Sequence, residues 1–459
     1  MTIQPVSDLR AWLDRLEATG RLAIARPGLA LKHEIAAIAK RLDGDKAVFC
    51  PRPDGTGAIP VVSGILGARG WMAEALGVTE ADLLARFADA CANPMPCIEV
   101  DQAPVQEIVQ QPGDLGTLPI PTHNEHDSGA YITAGLLICR NPRTGIQNVA
   151  IHRCQVSGSQ ELGILLLPRH TLAFFDLAEA AGEPLEIAIV IGADPISLLA
   201  SQAIVPLDHD ELEIAGALRG APLPVVKCRT NAVRVPADAE IVIEGRIMPR
   251  ARAPEGPFGE FPQYYGERAE RHVIRVDAIS RRRDAIFHTI VGGGLEHLLL
   301  GAIPREASLL NLLRAMFPNI RDVHLSMGGV GRYVLYVKLA KRQEGEAKNV
   351  ICGAFAAHYD IKYVVVVDPD VDIHDPRDVE WAVATRAQPD RDLVVVSGGQ
   401  GSKLDPSTAQ GLGAKLGIDA TIPLDAPEMK FKRIYVPGEE ALSPASVLEL
   451  SPNPWRMTR

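Results

Sequence analysis

The sequence is short of several things, and each shortage narrows what the protein is. Only seven of its 459 residues are cysteine: Cys50, Cys91, Cys97, Cys139, Cys154, Cys228 and Cys352. They are odd in number and contain no CxxC pair, so reduced thiols in the cytoplasm fit better than a disulfide framework. Aromatic residues make up only 5% of the chain. Basic residues are outnumbered, 47 against 57 acidic, which leaves a net charge of -10. Such a surface repels polyphosphate and excludes nucleic acid as the expected partner. No apolar run approaches bilayer length, and the N-terminal residues lack a basic region followed by an apolar stretch, so neither a membrane span nor a signal peptide is expected.

What is present is ordinary globular material, 47% apolar and 23% charged, with no sign of disorder. The length allows two or three domains and a core large enough to bury catalytic charge. An acidic protein that handles a carboxylate must gather positive charge locally, from an arginine or a metal inside a cleft.

Three regions emerge from the periodicities, giving a multidomain α+β and α/β chain. Residues 1–100 form a small α/β region. Ser7 caps a helix with Leu9, Trp12, Leu13 and Leu16 on one face and Gly20 as its stop. A second helical pattern passes through Ile35, Ile38 and Leu42, short strands follow at Ala47 and Pro60, and a helix from about Glu80 to Ala92 closes the region. Residues 101–303 are β-rich, with strand-like segments near residues 131, 135, 149, 186, 239, 272 and 285 and one intervening helix at 170–181. Residues 304–459 return to α/β alternation: a helix over Ser308 to Met316, strands at Tyr333 and Tyr363, a helix near Val379 and a strand at Leu393. The Pro-rich end, Ser451-Pro-Asn-Pro454, reads as a partner-binding arm or a loose tail.

Two stretches hold residues suited to chemistry. Ala253-Pro-Glu-Gly-Pro-Phe-Gly-Glu260 carries two acids, Glu255 and Glu260, among two prolines and two glycines. Those residues forbid a regular helix, and a rigid loop with two carboxylates suits proton transfer. On composition alone a solvated turn is the commoner outcome. Gly145-Ile-Gln-Asn-Val-Ala-Ile-His-Arg153 places Asn148 and Arg153 near the two ends of one strand. Five positions apart, they point to opposite faces if the strand is regular. An arginine at a strand end is more often a surface ion pair.

Together these stretches resemble the active-site signature of the UbiD family of decarboxylases: Asn-Val-x-Ile-x-Arg, then Pro-Glu-Gly-Pro-Phe-Gly-Glu about a hundred residues later. Further landmarks keep the family's order, among them Leu118-Pro-Ile-Pro, Gly216-Ala-Leu-Arg-Gly220 and Trp381-Ala-Val-Ala-Thr-Arg386. The resemblance implies a central split β-barrel that binds prenylated FMN and a C-terminal oligomerisation domain. It implies non-oxidative, reversible decarboxylation of an aromatic, heteroaromatic or α,β-unsaturated acid, with the flavin as electron sink. Glu260 matches the proton donor, and Arg153 matches the carboxylate-binding arginine oriented by Glu255.

By the same resemblance, the cofactor is met by Asn148, Ile151, His152, Arg153, Arg169, His170 and Glu211. Mn²⁺ or Mg²⁺ is held by Asn148, His170 and Glu211, with Glu213 as the rival of Glu211. Some relatives add K⁺, for which Ser201 and Arg386 hold the matching positions. A phosphate-contacting lysine of some relatives has no counterpart around Ala356 to His358, and His152 replaces a common tyrosine. Leu299, Leu300 and Leu404 match substrate-pocket walls. The partners implied are a flavin prenyltransferase that supplies the cofactor and further copies of the chain, as a homodimer or homohexamer. A non-catalytic flavin carrier and a subunit of a larger complex are the competing classes; the intact Glu-Arg-Glu set disfavours the carrier. Gly398-Gly-Gln-Gly-Ser-Lys403 lacks the ending of a phosphate loop and reads as a loop near the substrate pocket, while Asp368-Pro-Asp-Val-Asp372 lacks the glycine and glutamate of a calcium loop and reads as a solvated loop after a buried strand.

Overall fold

The computed structural model describes residues 4–443 and Val447; the Pro-rich end at 451–454 lies outside the described residues. Its first helix, Leu9–Ala18, buries the expected face of Leu9, Trp12, Leu13 and Leu16. The cap is Asp8 rather than Ser7: its carboxylate accepts from the Ala11 N–H, while the Ser7 hydroxyl donates to Asp8 Oδ2. Both residue types cap well, and the adjacent carboxylate wins the helix dipole as well as the hydrogen bond. The helix foreseen from about Glu80 starts at Leu83. A small four-stranded sheet backs these helices, in the order Leu22–Ile24, Ala47–Cys50, Val61–Ser63 and Phe287–His288. Its last strand comes from far along the chain and ties the N-terminal region to the segment that follows the site.

The centre is a nine-stranded sheet. Its path runs Tyr131–Ile132, Cys154–Gly158, Glu161–Ile164, Ala269–Arg281, Ile241–Glu255, Leu185–Ile191, Leu136–Arg140 and Gln147–Ile151, with Ile108–Gln110 paired to the Ala269 strand. No ladder closes it into a barrel among the described residues. The sheet nevertheless bends sharply, because the chain passes from its last strand, Gln147–Ile151, to its second, Cys154–Gly158, through His152 and Arg153 alone. Two residues reach only about 10 Å, even when extended. Arg153 therefore sits in the gap where the ends of the curved sheet face each other.

The long helix Leu295–Met316 leads from this sheet into the C-terminal region. The sequence predicts a helix over Ser308 to Met316, beyond Pro304; here Pro304 lies inside the helix. Burial on nearly every side, from Leu298 to Ala307, outweighs the one backbone hydrogen bond that proline removes. A five-stranded sheet follows in the order Ile320–Leu325, Val334–Leu339, Tyr363–Val367, Leu412–Ala420 and Leu393–Gln400. The strand at Leu393 runs on through Gly398-Gly-Gln400 across a bulge, where the sequence suggests a loop. All seven cysteines are free. Among the described residues, no helix is long and apolar enough to cross a membrane.

Candidate active site

The strand Gln147–Ile151 ends before Arg153, so the alternation that places Asn148 and Arg153 on opposite faces stops short. Both line one cavity of about 340 Å³ between the curved sheet, the Leu295–Met316 helix and the loop after Ser402. That volume lies in the range of small-molecule sites. Asn148, Ile151, His152, Arg153, Arg169, His170, Ser201, Glu211, Glu260, Leu300 and Leu404 all line it.

Glu255 closes the fifteen-residue strand Ile241–Glu255, with Ala269 as its register partner. Gly163, two strands away in the sheet, leaves room for it: a Cβ there would stand 3.2 Å from Glu255 Cγ. Gly256 then turns the chain at φ +87, where a side chain would also strike the Glu267 carbonyl at 2.9 Å. Phe258–Gly259 pairs with Tyr265–Gly266 as a small hairpin, and Glu260 opens its loop, with its N–H on the Tyr264 carbonyl. The prolines and glycines of the 253–260 stretch thus place the two acids on either side of one guanidinium.

Arg153 Nε and Nη2 each donate to Glu255 at 3.3 Å, one to either oxygen, and Nη1 donates to Glu260 Oε1. Glu255 is fully buried and receives a third bond from the Tyr131 hydroxyl at 3.1 Å. The guanidinium also lies 5.2 Å from the Phe258 ring centroid. Glu255 is therefore a fixed anchor, whereas Glu260, at the rim of the cavity, is the acid free to face a ligand.

At the other end, two helix N-termini meet the strand. His170 is the first residue of His170–Ala181, and Glu211 the first of Glu211–Arg219. His170 Nδ1 lies 3.1 Å from Asn148 Oδ1, and Glu211 Oε2 accepts the Val149 N–H at 2.6 Å. Glu213, the rival position, does not line the cavity. One amide, one imidazole and one carboxylate converge here; no group of three or more His, Cys, Asp or Glu side chains placed to hold a metal ion occurs among the described residues. Burial pushes the Glu211 carboxyl up to about 8, and burial, aided by Arg169, lowers His170. Glu211 thus lacks a countercharge, which a divalent ion would supply, and His170 is held as the neutral imidazole that a metal takes. Paired helix N-termini also favour an anion such as a phosphate, so the donor set fits a metal bridging protein to phosphate.

A third group escaped the sequence reading. Arg305, Arg332 and His297 line the same cavity, with Phe261 beside them. Arg332 lies 4.2 Å over the ring of Phe261, the residue after Glu260, and its guanidinium has no hydrogen-bond or ion-pair partner among the described residues. Arg305 has one carboxylate near it, Asp360 at 4.0 Å. Burial and the neighbouring cations lower Arg305, and burial lowers Arg332. His297 is pushed down to about 3 by burial and by Arg332, so it is neutral. The signal available was Arg305 itself, a charge within the apolar run Leu298-Leu-Leu-Gly-Ala-Ile-Pro-Arg305.

Two expectations fail on placement. Leu299 packs into the hydrophobic core instead of the cavity wall, since its neighbour Leu300 takes the helix face that looks inward. Arg386 does not join Ser201: it lies in the C-terminal region, committed to Asp368 and Asp370. That pairing also explains the acidic run at 368–372. The missing lysine position holds His358, which lies 3.3 Å from Arg305 Nε and is pushed down to about 3 by burial and nearby cations. Positive charge there comes instead from Arg169, which donates to the Tyr359 hydroxyl at 2.9 Å.

With this geometry in hand, comparison with known proteins is decisive. The chain matches the 3-octaprenyl-4-hydroxybenzoate carboxy-lyase N-terminal domain at residues 13–91, the Rift-related domain at 98–295 and the C-terminal domain at 298–420. It superimposes on the UbiD-class enzyme HmfF from Pelotomaculum thermopropionicum, solved with FMN, at a TM-score of 0.95 and 49% identity, covering 96% of this chain and 100% of that one. The apo 3,4-dihydroxybenzoic acid decarboxylase of Enterobacter cloacae gives 0.89 and 30% identity, over 98% and 99% of the two chains. The anhydromevalonate phosphate decarboxylase of Methanothermobacter thermautotrophicus is 40% identical over 82% of this chain and 88% of its own. A guanidinium held between two acids, set in this fold and these three domains, places the chain in the UbiD family of carboxy-lyases.

Proposed function

We propose that the protein decarboxylates a conjugated carboxylic acid that carries a second anionic group, using prenylated FMN; the reverse carboxylation is open to the same site. The observation that carries this reading is one cavity with Arg153 and Glu260 in one wall, Glu255 fixed behind them, and the cations Arg305 and Arg332 in another, where Asp360, 4.0 Å from Arg305, is the one carboxylate nearby. A buried guanidinium without a carboxylate is costly, and an anionic ligand offsets that cost. Relatives support it: anhydromevalonate phosphate decarboxylases are named for a substrate with a phosphate besides the carboxyl group that is lost. HmfF has been solved with FMN and, in an evolved dimeric form, with prFMN.

When bound, the prenylated flavin supplies the electron sink for cleavage of the carbon–carboxylate bond. The chain supplies the rest. A substrate carboxylate takes Arg153 Nη1, which Glu260 now occupies. Two anions at one donor repel, so Glu260 faces the substrate as its neutral acid. Glu255 keeps Nε and Nη2 and fixes the angle of the fork. After CO₂ departs, Glu260 donates its proton to the carbon that bore it. Asn148, His170 and Glu211 would hold Mn²⁺ or Mg²⁺ against the flavin phosphate, with Arg169 alongside. A separate prenyltransferase supplies the flavin. The exposed apolar side chains Val395 and Leu412, on the last two strands of the C-terminal sheet, suit a homodimer or homohexamer.

The test is co-expression with a flavin prenyltransferase, identification of the bound flavin by spectrum and mass, and a screen of paired acids with and without a second anionic group. Arg332→Leu is expected to raise KM for the doubly anionic acid about 10- to 100-fold and to leave the singly anionic partner nearly unchanged. Equal losses on both acids would remove the second-anion assignment.

Metal removal gives a separate prediction. The folded-state value of Glu211 lies above its ordinary 4.5, so its contribution to the metal-free fold is present below that value and is lost as pH rises through about 8. The metal-free protein should therefore melt at lower temperature as pH rises across that window, and Mn²⁺ should raise the midpoint most at the alkaline end. In Glu211→Gln both the pH slope and the Mn²⁺ response should shrink; scanning calorimetry with and without a chelator measures them.

A further inference from the structure

Glu260 borders two cavities. Besides the one already described, a second of about 450 Å³ lies between the Glu34–Arg41 helix and the 258–266 hairpin, lined among others by His33, Ala37, His123 and Gln263. Its rim includes Tyr264, which is 60% exposed, so it opens to solvent. Beside Glu260, Gly292 also borders both cavities, and a Cβ on it would stand 2.4 Å from the Gly259 carbonyl. Of the Glu260 oxygens, Oε1 takes Arg153 and Oε2 has no protein hydrogen bond among the described residues.

Two histidines on the wall of the second cavity have a ring nitrogen to satisfy. His33 Nε2 and His123 Nδ1 are buried without a protein partner. Buried ring nitrogens without a protein partner call for ordered water, and both histidines line this cavity. The other nitrogen of His123 is bound to the Thr289 hydroxyl at 2.7 Å, which fixes the ring with Nδ1 left over.

We propose that this second cavity is the route by which Glu260 regains a proton from solvent after each turnover. The inference rests on the reading of Glu260 as the proton donor. The balance requires such a route: RCOO⁻ + H⁺ gives RH + CO₂, so one proton is consumed per cycle, and the donor ends as a carboxylate. Ligands filling the main cavity exclude bulk water from that side. Water in the second cavity reaches the same carboxyl without crossing them.

The experiment plugs the second cavity from the helix that walls it. Ala37→Trp and, separately, Ala36→Phe are loaded with cofactor and followed by rapid quench. The expected result is a first turnover within about twofold of the unmodified enzyme, then a steady rate about tenfold or more lower, seen as a burst of one product per site. A burst in either variant supports the route. It is overturned if neither variant shows a burst, whether because the steady rate is unchanged or because the first turnover slows equally. No first-turnover product in the unmodified enzyme would overturn the decarboxylation reading itself, and this route with it.

Discussion

Replacing Glu260 with glutamine is expected to leave the cofactor bound and to lower turnover about 100- to 10,000-fold, the usual worth of a positioned general acid. Glutamine keeps the length of the side chain, and its carbonyl oxygen can still accept from Arg153 Nη1 where Glu260 Oε1 does now. The Glu255 pairing is untouched, because it uses Nε and Nη2. What the variant lacks is an exchangeable carboxyl proton. The contrast between retained flavin and lost chemistry is therefore specific to proton donation. Flavin absorbance and stoichiometry report the first property, and CO₂ release the second. Near-normal turnover would take Glu260 out of its assigned role; loss of flavin would mean that the hairpin, rather than the proton, had been disturbed.

The residues of this pair of stretches were legible because their sequence is constrained at every step. Between Glu255 and Glu260, Gly256 must adopt φ +87, and Gly259 leaves the space that Asn124 occupies 2.3 Å from a notional Cβ. Few residue types satisfy such demands, so the stretch reads as a built loop even without coordinates. The strand Leu185–Ile191 and the helix His170–Ala181 were legible for a simpler reason: each is a single periodic run bounded by glycine. The facing of Asn148 and Arg153 was not legible. It depends on the strand ending at Ile151, and that ending is set by pairing with Leu136 across the hairpin from the preceding strand. Local alternation has no access to such a register.

Arg305 and Arg332 were hidden for a related reason. One lies ahead of the helix that the sequence predicts, the other on a turn after Gly331, and only the packing of the Leu295–Met316 helix against the following sheet brings them to one wall. The choice between Asp8 and Ser7 as helix cap is the opposite case: two equally suited neighbours, decided by a hydrogen bond of 2.8 Å. What sequence patterning supplies is the acid–base centre, because its constraints are local. What it leaves out is the part of the cavity that selects the substrate, because that part is assembled across elements.

The local centre is also coupled energetically, and this can be measured apart from activity. Arg153→Leu removes the guanidinium but leaves Glu255, which has no exposed side-chain surface, with only the Tyr131 hydroxyl as partner. Stripping one member from a buried pair costs about 3–5 kcal/mol, because the other charge is then desolvated and unpaired. The double variant Arg153→Leu, Glu255→Leu removes both charges and is expected to recover at least about half of that loss. Glu260 contributes less to the cycle, since it reaches solvent through its cavity. Denaturant unfolding of the wild type, the two single variants and the double variant gives the coupling directly. All three variants should lack turnover, so stability alone carries the result: strictly additive losses would mean that Arg153 and Glu255 do not form the buried pair on which the positioning of the fork depends.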